Sequence, residues 1–244
     1  EFSRADVAAV SGLIEYLSTT QKGQLPLLRR PVYEARDDFV AIDAATRKNL
    51  ELTQTLAGER SGSLLSVVDH SVTAAGARLL SRRITTPSQR LETIEERASA
   101  VEFFCDQSGL RGAVRTALKQ LPDVERALGR VVLERGGPRD LLALGNGIAQ
   151  AAQVHALLAE QELPPLLKNA ADDLKGFEAL SDKLDRALVA EPPLLARDGG
   201  FVATGYSAEL DEMTALRDEA RSVIARMQAD YASQSEISSL KIKH

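Results

Sequence analysis

Few of these 244 residues combine the types and spacing that chemistry requires. Three adjacent carboxylate pairs, Asp37-Asp38, Glu95-Glu96 and Asp172-Asp173, would supply a general acid and base if both members faced one substrate. Neighbours on a helix or strand point in different directions, so solvated faces are the plainer reading. The three histidines, His70, His155 and His244, never fall at i,i+4 from one another or in a His-Glu motif. The single cysteine, Cys105, cannot complete a thiolate pair for zinc and excludes an internal disulfide. Arg29-Arg30 and Arg82-Arg83 are the side chains best suited to touch phosphates, with salt bridges or plain exposure as the alternative. Glycine-rich phosphate loops and a nucleophile elbow are absent as motifs, and no aromatic platform exists for stacking bases. An enzyme working alone is therefore the weakest function class.

The elements that would position any site read as helices. Apolar residues make up 44% of the chain but aromatics only 4%, so a core must be built from Leu, Ala, Val and Ile. A helix from about Arg4 to Gln21 carries Val7, Val10, Ile14 and Leu17 on one face and ends at Gly23 and Pro26. Val32–Ala35 and Phe39–Ile42 read as short strands around Asp37-Asp38. Asp43 is a good N-cap for a helix through Arg47, Leu50 and Leu52. Thr73 caps the next, which stops before Pro87. From Ser88 the spacing predicts a long helix with Leu91, Ile94, Ala98, Val101 and Phe104 inward, and Gly109 separates it from another. Pro122 suits the first turn of a helix through Val124 and Val131, and Gly136-Gly137-Pro138 breaks the chain before an Ala- and Leu-rich helix over about 139–160. Within that helix Gly145 and Gly147 mark close contacts between helices. No apolar run approaches the roughly 20 residues of a membrane span, and no charged-then-apolar leader opens the chain.

The most informative stretch is Arg197–Glu212, a glycine turn with a short apolar run, a second glycine and the start of a charged helix. It reads as a joint between a packed body and an arm. Leu194-Leu195 and Phe201-Val202 would form a small hairpin about Asp198-Gly199-Gly200. The last helix, about 207–235, lines up Leu210, Met213, Leu216, Ala220, Val223, Ile224, Met227 and Tyr231 at near-heptad spacing, which predicts a coiled-coil partner. The alternating end, Ile237–His244, resembles a strand, as though a longer protein continued beyond it. The formal charge of −5 argues against a chain that coats DNA by itself. It is unevenly spread, net +4 over residues 78–139 and −7 over 140–244. The fold class is all-α, an irregular multi-helix core bundle with a long projecting helix and only minor strands.

Four segments in order resemble the core (lever) region of the MutS family of DNA mismatch-repair ATPases, of bacterial type. They are Ile42–Leu52 with Leu56–Gly58; Thr73 through Gly76, Arg78 and Leu80 to Pro87, Ile94 and Arg97; Leu121–Arg126 with Pro138–Leu141; and Arg197–Gly200 with Gly205–Glu212. Two positions depart from the family pattern. Arg83 stands where an aromatic is usual before the proline turn, and Arg90 where an acid is usual, leaving Ser88 as the candidate cap. The resemblance implies a linking helix over 1–24, a helical core over 25–196, and a lever over 197–244 that leads into a clamp domain. It also implies that this segment couples mismatched-DNA binding to an ATPase without catalysing anything itself. No cofactor or metal is expected within the segment; ATP and Mg belong to the parent. Implied partners are mismatched duplex DNA through other domains, a homodimer of the parent and a MutL-type repair protein, with no membrane and a cytoplasmic, nucleoid-associated location. The candidate structural and coupling positions are Asp43, Arg47, Asn49, Gly76, Arg78, Pro87, Asp123, Arg126, Pro138, Asp140, Asp198, Gly199, Gly200, Gly205, Glu209 and Leu210. Composition alone leaves a helical scaffold unrelated to DNA as the alternative.

Overall fold

The computed structural model describes residues 2–22, 25, 28, 30–33 and 38–235. The described residues form eleven α-helices: α1 Arg4–Thr20, α2 Ala44–Asn49, α3 Leu64–Val68, α4 Ala74–Thr85, α5 Leu91–Asp106, α6 Ser108–Leu118, α7 Val124–Val132, α8 Pro138–Leu158, α9 Pro165–Asp172, α10 Glu178–Ala187 and α11 Ala208–Ser235. Among these residues β structure is limited to two isolated antiparallel bridges, Phe39 with Ser88 and Leu188 with Val202. The all-α expectation holds. The terminators Gly23 and Pro26, residues 34–37 of the first expected strand pair, and the terminal strand Ile237–His244 lie outside the described residues.

Helix α8 is the axis of the bundle. It packs against α6, α7, α9 and α10, while α5 packs on α6 and α9. The core joins Val114 of α6, Val154 and Leu158 of α8 and Ala171 of α9, ringed by Phe104, Leu110 and Leu174. This position explains the composition of α8, which must be apolar around most of its circumference to serve four neighbours. By length and composition alone α8 is apolar enough to cross a membrane, with a window of mean hydropathy 1.2. That corrects the expectation that no segment approaches that limit.

Local chemistry sets the helix ends. Ser3 and Asp6 form a reciprocal capping box on α1, Asp43 accepts from Thr46 N at 2.8 Å, and Thr73 accepts from Gly76 N at 3.0 Å. Helix α2 stops at Asn49 and does not run to Leu52, because Glu51 turns left-handed at φ 48°. Its carboxylate then accepts from Leu56 N at 2.6 Å.

Several sequence expectations are corrected. Phe39 pairs singly with Ser88, forty-nine residues on, and no strand runs over Phe39–Ile42. Ser88 accepts from Arg90 N at 3.2 Å, but Arg90 is the N-cap residue of α5 and supplies no side-chain cap. The break after α5 falls at Gln107, with Gly109 inside α6. Pro122 precedes α7, and Asp123 caps it. Phe201-Val202 pair with the chain after α10, not with Leu194-Leu195: Val189 N donates to Phe201 O at 3.0 Å and Ala203 N to Ala187 O at 2.9 Å. Ala196–Asp198 forms a 3₁₀ turn that takes Leu195 out of hairpin register.

The largest correction concerns α5. Leu91, Ile94 and Val101 are exposed, at 67%, 46% and 64%, and Ala98 is exposed as well. The helix turns Ala100 inward, with Phe103 and Phe104 half-buried beside it. A second apolar edge, Ala100 with Phe103 and Phe104, is the one that faces α6 and α9.

Candidate functional site

The candidate positions gather into three linkages between helices. The first ties α4 to α7. Arg78 donates to both carboxylate oxygens of Asp123, from Nη1 at 2.9 Å and Nη2 at 2.7 Å, and to Glu125 from Nε at 3.0 Å and Nη2 at 2.6 Å. The planar guanidinium fork matches a carboxylate edge, so one side chain fixes both spacing and angle. Asp123 also accepts from Arg126 N at 3.4 Å and pairs with Arg126 Nε at 3.5 Å. The Arg78 hydrogen bonds are the main reason that the Asp123 carboxyl titrates below its ordinary 3.8. The same bonds raise the Arg78 pKa.

The second linkage ties α7 to α8. Arg130 pairs with Asp140, which accepts from Gly137 N at 3.0 Å and so caps α8 as well. Arg130 holds the Asp140 carboxyl below its ordinary value. Pro138 is fully buried at the first position of α8. Arg139 donates from Nε to Pro192 O at 3.2 Å. A Cβ on Gly137 would lie 2.9 Å from Leu194 O, so the backbones meet there and only glycine fits.

The third linkage is the joint before α11. Gly199 has φ 68° and ψ −174°, a region open essentially to glycine alone, and Gly200 follows at φ 69°. Asp198 N donates to Leu195 O at 3.1 Å. Gly205, at φ 88°, donates its N–H to Asp211 Oδ2 at 2.8 Å. Leu210 N donates to Ser207 Oγ at 3.4 Å, and Glu209 stands in the first turn of α11, where a negative charge suits the helix dipole.

The remaining candidates sit apart. Asp43, Arg47 and Asn49 belong to α2, where Arg47 Nη2 donates to Ile42 O at 3.4 Å. Gly76 lies under the Thr73 cap, with Thr73 Oγ1 2.8 Å from where its Cβ would be. Pro87 O accepts from Val40 N at 2.9 Å. Sequence reading missed Arg130, Glu125 and Arg139, whose partners stand at separations without a periodic signal. It also missed α3, whose cap Ser63 is completely buried.

The candidates for chemistry scatter into structural roles. His155 Nδ1 lies 3.0 Å from Ala171 O, His70 O accepts from Arg115 Nη2 at 3.0 Å, and Asp172 pairs with Lys175 at 2.5 Å. Among the described residues no group of three or more His, Cys, Asp or Glu is arranged to hold a metal.

A helical bundle strapped by arginine–carboxylate pairs, with a glycine joint opening onto a 28-residue helix, defines a structural domain. The chain belongs to the MutS domain III family, whose profile matches residues 45–238. It is 58% identical over 243 residues to a DNA mismatch repair protein MutS of Roseobacter denitrificans. It is 57% identical over 244 residues to the protein of the same description in Paracoccus denitrificans, and 56% over 243 residues to that of Ruegeria pomeroyi. Each match takes in 100% of this chain and 28% of the relative.

Proposed function

We propose that this chain is the non-catalytic core and lever segment of a bacterial mismatch-repair protein. In this reading it couples mismatched-DNA binding in other domains to an ATP- and Mg-dependent ATPase. The parent works as a cytoplasmic, nucleoid-associated homodimer that engages a MutL-type partner. Membership of the domain III family supports a structural role. The observation that carries the coupling role is the Gly199-Gly200 joint, where two successive positive φ values set the direction in which the chain approaches α11. Coupling between distant sites needs stiff elements with a limited set of packed arrangements. Helices strapped at Arg78–Asp123 and Arg130–Asp140 are such elements.

The test replaces Gly199 and Gly200 with alanine in a full-length protein of the relatives' kind. The nucleotide dependence of its DNA affinity is measured, beside the thermal midpoint of the same variant in the 244-residue chain. Reduced nucleotide dependence with DNA binding otherwise retained is the expected result. Unchanged dependence with a lowered midpoint would reduce the joint to a turn. The division of labour further expects the isolated chain to bind duplex DNA weakly, without mismatch preference and with a shallow salt slope.

A further inference from the structure

Helices α4, α5, α6 and α9 enclose a cleft of about 470 Å³, into which Arg83, Arg97 and Arg111 reach over a floor of Phe104, Leu166 and Leu167. Among the described residues no carboxylate lines it. Arg111 is satisfied by Phe104 O at 2.8 Å, but Arg83 Nε is buried without an acceptor. A buried donor left unpaired is unfavourable until an acceptor arrives. Burial, and then the neighbouring Arg97 charge, push the Arg83 guanidinium below its ordinary pKa. An anion beside the two guanidinium groups would offset their mutual repulsion.

The cleft does not end at its rim. Val101 and Cys105 line it and also belong to the exposed stripe Leu91, Ile94, Ala98, Val101 and Cys105 along α5. At 1.5 Å per residue that stripe runs on the order of 20 Å. Glu95 and Glu102 flank it on one side, and Arg97 with the cleft on the other. An apolar stripe with one acidic and one basic border is shaped for a helix, not for a small ligand.

We propose that α5 and this cleft form a docking site for an amphipathic partner helix. The partner lays an apolar face along Leu91–Val101 and directs an acidic edge at Arg83 and Arg97. The site stands on this geometry alone and does not depend on the coupling role.

The probe is a helical peptide of about 15 residues with leucine at i, i+3 and i+7 and glutamate along one edge, compared with its glutamine counterpart. Alkylation of Cys105, the only cysteine, by neutral iodoacetamide reads occupancy in the 244-residue chain. The glutamate peptide should slow alkylation saturably, and the glutamine peptide should bind at least about tenfold more weakly. Arg97→Gln should shrink that difference, and Arg83→Gln combined with it should erase it. Val101→Asp, at an exposed position, should abolish protection while circular dichroism stays unchanged. Equal protection by both peptides, or no protection by either, would overturn the proposal. Full protection by octanoate alone would also overturn it, in favour of a small-anion cavity. A dimer of the chain that Val101→Asp dissociates would do so in favour of a second copy.

Discussion

Arg78 and Asp123 meet in a bidentate pair across forty-five residues of sequence, with Nη–Oδ distances of 2.7 and 2.9 Å. Together with the Arg78–Glu125 pair at 2.6 Å, they tie α4 to α7, which packs on α8. Arg78→Met should lower the thermal midpoint, and Arg78→Lys, which keeps the charge but loses the fork, should lower it by only part of that amount. Asp123→Asn should lower the midpoint further than Glu125→Gln, because Asp123 accepts from both Nη groups of Arg78 and is far less exposed than Glu125, while asparagine keeps the cap on α7. Thermal denaturation of the four variants checks this order.

The same pair gives stability a pH dependence. The Asp123 and Asp140 carboxyls have folded pKa values below their ordinary 3.8. Between the folded and unfolded values the unfolded chain binds more protons, so stability rises with pH there. The contribution is fully present above 3.8 and is lost as pH falls through the lowered folded values. Urea midpoints followed from neutral pH down to about pH 2 should fall less steeply in Asp123→Asn and Asp140→Asn than in the parent chain.

Gly145 and Gly147 share α8 but should respond oppositely to alanine. A Cβ on Gly147 would overlap Val124 Cγ2, whereas one on Gly145 would meet Leu184 Cβ at an ordinary 3.5 Å. Gly147→Ala should destabilise by about 1–3 kcal/mol. Adding Val124→Ala should recover part of it, since Val124 Cβ lies 3.6 Å away. Gly145→Ala should be neutral or stabilising by up to about 1 kcal/mol through helix propensity. Chemical denaturation of the three variants decides.

The seam of α11 and the core of α8 should differ as sharply. Leu216 and Met227 are exposed at 59% and 44%, so Leu216→Lys and Met227→Lys should change stability of the 244-residue chain by no more than about 0.5 kcal/mol. Leu158, at 6%, sits in the central cluster, and Leu158→Ala should destabilise by about 2–5 kcal/mol. If the α11 substitutions prove as costly as Leu158→Ala, the seam is packed in solution.

What could be read without coordinates was local. The caps Asp43 and Thr73, the proline start of α8 and the long last helix each depend on a few neighbouring residues. Backbone sterics and side-chain capping act over that range. The family was legible for a related reason: its ordered short segments record such local requirements.

Tertiary structure decided everything that joins distant residues. Arg78, Arg83 and Arg97 look alike in sequence, yet one grips two carboxylates and the others border a cleft. Helix α5 carries two apolar stripes, and only docking on α6 and α9 determines that Ala100 faces inward and Leu91, Ile94 and Val101 outward. Phe201-Val202 carry strand character, but the 3₁₀ turn at Ala196–Asp198 gives them Ala187–Val189 as partners in place of Leu194-Leu195. A residue's type limits what it can bond with; its partner is set by which surfaces the packed helices bring within a few ångströms, and periodicity along one chain segment does not contain that information.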